Sequence, residues 1–312
     1  VLSRRLFSAA VLISLSLGLI WLDLNHQVRG QAGLWTIPML AFFALGTVWE
    51  FATLLGRRWA VSAPMVTWHA SIALLIGLFP IGYSVVMQKS YPTDCPVGRL
   101  GWILIGSMVG VGLNGVHALT LFRPPAELSA SEEEKNAWHQ RTLLGWLLSS
   151  VIICYVISGL SLWHVIRMRG ESSGLYELIA LLAIVKLADA GAYFSGKLFG
   201  KTKLIPSVSP GKTMEGLLGG YLFSIAAAYL ALRWALPLMG VSPGLTGWGP
   251  ALLAILLTTA GLVGDLLESM VKRSVGAKDS GNLLPGLGGV WDVTDSVLPA
   301  SYIGYLGLIA QL

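Results

Sequence analysis

Residues 249–268 read GPALLAILLTTAGLVGDLLE, sixteen uncharged positions followed by an aspartate and a glutamate three apart. The hydrocarbon core of a bilayer needs about 20 mostly apolar residues in helical form. The stretch therefore predicts a transmembrane helix whose last turns carry carboxylates. Eight further segments share its apolar character, at roughly 6–22, 32–55, 66–87, 100–122, 142–166, 175–195, 213–236 and 294–312. Together they predict an all-α, polytopic integral membrane protein with about nine transmembrane helices. Composition points the same way: of 312 residues, 54% are hydrophobic and 12% charged, against about 25% charged in an ordinary soluble domain. A soluble enzyme of this length would need a polar shell that such a composition cannot supply. The net charge of +5 belongs to membrane topology and anionic headgroups, with no nucleic acid implied.

The basic residues orient the spans. With the N-terminus cytosolic, the inner side holds Arg4, Arg5, Arg57, Arg58, Arg123, Lys135, Arg141, Lys197, Lys201, Lys203, Lys212, Lys272, Arg273 and Lys278, against Arg29, Lys89, Arg99, Arg167, Arg169 and Arg233 outside. Lysine and arginine favour the cytosolic side, so the bias predicts nine spans, N-terminus in and C-terminus out. The first segment is read as a retained helix, because no small-x-small cleavage site follows it before Asp23. Residues 123–141 read as a solvated surface helix. Cys95 lies in a polar turn and Cys154 in an apolar run, which suits neither a mutual disulfide nor a metal site. Residues 1–170 are expected to form scaffold helices, and residues 171–312 the catalytic part with its cytosolic polar loops.

Two polar segments carry the candidate chemistry. In the first, Lys186 and Asp189 share a helical face at a spacing of three; ionisable residues inside a span face a cavity or one another. A mutually neutralising structural pair is the alternative reading. Further on, in Ser209-Pro210-Gly211-Lys212-Thr213, the triplet Gly211-Lys212-Thr213 invites a P-loop reading, but Pro206 stands where the motif needs glycine, and that reading is rejected. The same residues read as a helix start, with Ser209 as cap, Pro210 in the first turn and Lys212 adding positive charge where free N–H groups favour an anion. A plain capped helix remains the competing reading.

The second segment runs from Asp265 to Ser296. Asp265, Glu268 and Lys272 fall on one helical face, and Asp292 and Asp295 repeat the spacing of three where the last helix begins. Carboxylates of this kind suit a hard divalent cation such as Mg²⁺, which takes oxygen ligands and bridges substrate phosphates. Lys272, Arg273 and Lys278 suit phosphate charge, and the glycines of 281–289 let backbone N–H groups approach an anion. These parts fit phosphoryl or nucleotidyl transfer, which depends mainly on positioning and charge neutralisation. A purely structural polar loop is the alternative.

Residues 269–295, SMVKRSVGAKDSGNLLPGLGGVWDVTD, resemble the signature of the phosphatidate cytidylyltransferases, also called CDP-diacylglycerol synthases. Residues 189–216 are similar to that family's second motif, and Leu2-Ser-Arg-Arg-Leu6 to its usual N-terminus. The chain departs from the pattern at Leu287, where the family has histidine, and at Val293, where it has arginine.

The resemblance implies that CTP and phosphatidate become CDP-diacylglycerol and pyrophosphate, in a multi-pass protein of the cell membrane that works among membrane lipids as a homodimer. It implies catalytic roles for Lys212, Lys272, Arg273, Lys278 and Asp279. Substrate binding falls to Asp189, Ser209, Gly211, Lys212, Gly286, Gly288 and Gly289. Mg²⁺ falls to Asp265, Asp292 and Asp295, with Asp279 as the alternative to Asp295. Other readings are a CTP-dependent polyprenol or phytol kinase, a transporter using Lys186 and Asp189, and a non-catalytic lipid-binding paralogue. A CDP-alcohol phosphotransferase is disfavoured by the absence of its motif, and a transporter by the absence of an internal repeat.

Overall fold

The computed structural model describes residues 2–28, 31–89, 91–92, 94–124, 131–170 and 172–310, without the side chains of 2–5. The side chains of Arg4 and Arg5, Arg29 and residues 125–130 lie outside that set. With no water in the hydrocarbon to satisfy them, backbone N–H and C=O groups must pair within each segment, so apolar runs become helices. Among the described residues, eight helices are long and apolar enough to cross a membrane, or nine if one bent pair counts as a span. The protein is thus an all-α polytopic membrane protein.

The chain divides into two compact units, residues 1–161 with 274–292 and residues 162–273 with 293–312. In the first unit, α1 (Leu2–Asn25), α2 (Ile37–Leu55), α3 (Ala63–Gly77), α4 (Phe79–Met87) and α5 (Gly98–Leu121) precede α6 (Glu132–Arg167), most of which belongs here. The expected third span, 66–87, is the bent pair: α3 and α4 meet at 49°, where Pro80 opens α4. Helices α3 and α5 approach closely because Gly106 lies against the carbonyl of Ala73, where a Cβ would overlap it. Nearby, Asn114 donates to Ser149 Oγ at 2.8 Å and Ser150 Oγ at 3.0 Å, the kind of interhelical bond that joins helices in lipid. The acidic stretch 132–141 is no separate surface helix. It is the first part of α6, a continuous 36-residue helix, because good helix formers lead into the apolar run without a breaker.

In the second unit, α7 (Ser173–Phe199) and α8 (Met214–Ala228) pack along small residues. Gly191 faces Phe223, and Gly219 lies so close to Ser195 that a Cβ could not fit. Between them, β1 (Lys203–Ile205) and β2 (Ser209–Thr213) form an antiparallel hairpin with Lys203 opposite Thr213 and Ile205 opposite Ser209. Helix α8 continues through a π-helical stretch, Tyr229–Ala235, into α9 (Leu236–Leu238). Helix α10 (Gly249–Ser274), the turn α11 (Trp291–Thr294) and α12 (Val297–Ala310) follow.

The expected helix start at Ser209 is corrected by this hairpin. Ser209–Thr213 is strand, and the cap is Thr213, whose extended backbone precedes α8 and whose side chain accepts from Gly216 N at 3.1 Å. Glu215 then ties the hairpin to the helix, accepting from Lys201 N and Thr202 N at 3.1 Å each. Ladder pairing across the hairpin holds the backbone of 209–213 extended, so the helix begins four residues later than Pro210 suggests.

Candidate active site

Helix α10 delivers Asp265 and Glu268 on one face, and the short break after α11 delivers Asp295. Gly264 makes the approach feasible, since a side chain there would overlap the carbonyl of Asp295 and the ring of Pro299. One carboxylate oxygen from each of Asp265, Glu268 and Asp295 lies within 4.8 Å of the others. Each acid is held in place. Lys212 Nζ is 2.6 Å from Asp265 Oδ2, and Lys272 Nζ is 2.9 Å from the buried Glu268 Oε2. Ser296 N donates to Asp295 Oδ1 at 2.6 Å. Lys186 and Asp189 do pair, at 3.4 Å, within a network in which Lys186 Nζ also donates to Val293 O and Ser296 Oγ, and Ser296 Oγ donates to Asp189.

This donor set fits Mg²⁺. It is all oxygen and anionic, the ligand chemistry that Mg²⁺ takes. Glu268, noted only for its helical face, joins Asp265 and Asp295 here. The lysines alternate with the acids, so the cluster carries both a cation-binding and a phosphate-binding capacity.

The loop 274–292, which belongs to the first unit, carries the remaining signature residues. Asp292 Oδ2 accepts from Gly289 N at 2.7 Å, Ser280 Oγ at 2.9 Å and Ser280 N at 3.1 Å. The N–H of Gly289 is therefore taken up within the protein. Gly286 and Gly288 adopt left-handed φ values of 83° and 99°, which a residue with a Cβ would resist; they close a turn in which Gly288 N donates to Leu284 O at 3.0 Å. Leu287 donates its N–H to Leu284 O. Arg273, Lys278, Asp279 and Gly211 are exposed, and Ser209 is half-buried in β2.

A further acid appears that sequence reasoning missed. Glu50 of α2, 3% exposed, accepts from Ser280 Oγ at 2.8 Å and Trp291 N at 3.0 Å. It lies 230 residues from Ser280 in the chain, so no motif spacing marks it. The available signal was the presence of a carboxylate inside an apolar span, which is expensive in lipid.

A polytopic membrane protein with a carboxylate and lysine cluster in its C-terminal part is the class that fold and site define. The model of the cytidylyltransferase family matches residues 3–309, and the chain belongs to that family. It is 41% identical over 150 residues to the phosphatidate cytidylyltransferase of Brucella suis biovar 1 (strain 1330), covering 48% of this chain and 53% of the relative. It is 37% identical over 169 residues to that of Haemophilus influenzae (strain ATCC 51907 / DSM 11121 / KW20 / Rd), covering 52% and 56%. To the Staphylococcus haemolyticus (strain JCSC1435) phosphatidate cytidylyltransferase it is 39% identical over 146 residues, covering 47% and 52%. The chain spans about half the length of the curated relatives it matches.

Proposed function

We propose that this protein transfers the cytidylyl group of CTP to phosphatidate, forming CDP-diacylglycerol and releasing pyrophosphate. The observation that carries this reading is the convergence of Asp265, Glu268 and Asp295 with Lys212 and Lys272 among them, in a member of the cytidylyltransferase family. Bound Mg²⁺ would supply neutralisation of phosphate charge. Asp265, Glu268 and Asp295 would hold it, and Asp292 is assigned to the same task on sequence spacing alone. Lys212, Lys272, Arg273 and Lys278 bind the triphosphate and the lipid phosphate. A phosphatidate oxygen attacks the α-phosphorus of CTP, and the bond to the β,γ-pyrophosphate breaks. That oxygen is already ionised at neutral pH, so no general base is needed, and Leu287 in place of histidine leaves the reaction intact. Val293 in place of arginine forfeits one phosphate-pairing cation that the neighbouring lysines can supply.

The lysine and arginine bias supports a cytosolic location for both polar segments, where CTP is available while the acyl chains stay in lipid, and the bacterial relatives support a cytoplasmic membrane. The test is direct. Protein purified in detergent receives labelled CTP, phosphatidate and Mg²⁺, and CDP-diacylglycerol is sought by chromatography beside an active control enzyme. Product is expected; its absence overturns the proposal.

A further inference from the structure

Helix α2 offers the 280–291 loop a built receptor. Gly46, Glu50 and Phe51 lie on adjoining turns. Gly46 lets Val290 approach to van der Waals contact, Phe51 stacks on Trp291 with ring centroids 3.7 Å apart, and Glu50 accepts from Ser280 and Trp291. Two glycines of the loop are shaped to this carboxylate, since a Cβ at Gly281 or Gly289 would overlap the Glu50 oxygens. Ser280 Oγ stands 2.8 Å from Glu50 Oε2 and 2.9 Å from Asp292 Oδ2. One hydroxyl thus stands within hydrogen-bond distance of both the buried acid of α2 and Asp292, its single proton shared between them.

We infer that Glu50 is a positioning residue for Asp292, acting through Ser280. Its hydrogen bonds hold Ser280 and the Trp291 backbone, which bracket the loop, and these fix the direction of the Asp292 carboxylate. The expense of an acid within a span is met in part, because Oε2 takes both donors while Oε1 is buried against Gly281. This inference rests on the proposed transferase reading only through the task given to Asp292, and direct metal binding separates the two.

Full-length Glu50→Met, which keeps side-chain volume without an acceptor, Ser280→Ala and the double variant are purified in detergent with Glu50→Gln. Mn²⁺ affinity is measured by electron paramagnetic resonance, and the Mg²⁺ dependence of turnover beside it. Each single variant is expected to weaken Mn²⁺ binding about 10- to 100-fold, the scale for groups that orient metal ligands. The double variant should be no weaker than the worse single one, because coupled residues are non-additive. Glu50→Gln, which keeps an acceptor oxygen, should recover most of the affinity. Parent-like Mn²⁺ affinity in Glu50→Met, or effects that multiply in the double variant, would overturn the inference. If Glu50→Met fails to fold, parent-like Mn²⁺ affinity in Ser280→Ala overturns it alone. A parent protein that binds Mn²⁺ but makes no CDP-diacylglycerol would sink the transferase reading and leave the role of Glu50 standing on its own affinities.

Discussion

Asp265 and Lys212 show how one contact serves two ligands. At 2.6 Å, Lys212 occupies a donor oxygen that a divalent cation also needs, so lysine and metal compete for Asp265. Lys212→Met should therefore lower the dissociation constant for Mn²⁺ alone several-fold while raising the apparent KM for CTP; calorimetry and steady-state rates read the two effects, and weaker binding of the bare metal would contradict the competition. Asp265→Asn and Asp295→Asn should each lower turnover by roughly two to three orders of magnitude, as for loss of one preorganised electrostatic group. Glu133→Gln, at the exposed start of α6, should turn over like the parent. At this scale the sequence was informative wherever residues sit close along the chain. The i, i+3 and i, i+4 spacings of Asp265, Glu268 and Lys272 anticipated their shared face. The Ser280 bridge and Glu50 depend on where distant helices meet, and no local spacing encodes that.

Among the elements, the long spans were legible because hydropathy over 20 residues is a strong signal. The hairpin was not. A cap at Ser209 and proline at the next position satisfy helix-start chemistry, yet pairing of 203–205 with 209–213 moved the start to Thr213. Thr213→Val should destabilise the protein by about 1 kcal/mol through loss of the cap, seen as a lowered thermal midpoint in detergent. Ser209→Ala should leave that midpoint unchanged; the opposite ranking would restore the earlier helix start. Likewise, the acidic stretch 132–141 looked separable because charge marks solvent. Charge does not interrupt a helix, and α6 runs through it.

For the whole molecule, the positive-inside bias predicts an orientation, which packing alone does not. In a Cys95→Ser, Cys154→Ser background, a cysteine at Lys203 or Glu133 should react with a membrane-impermeant maleimide only in inverted vesicles. One at Lys89 should react only in right-side-out vesicles. All three positions are exposed, so labelling reports sidedness; an inverted pattern would reverse the topology and overturn the cytosolic placement of the two polar segments.

The bond between Glu50 and Ser280 also has a consequence in time. A ribosome adds about 5–20 residues per second, so some tens of seconds of synthesis separate the insertion of α2 from the appearance of Ser280, 230 residues later. Throughout that interval the nascent chain carries a carboxylate in its second span before its two donors exist. The acid gains these two partners only once the loop after α10 is made and docks on the helix that has waited for it.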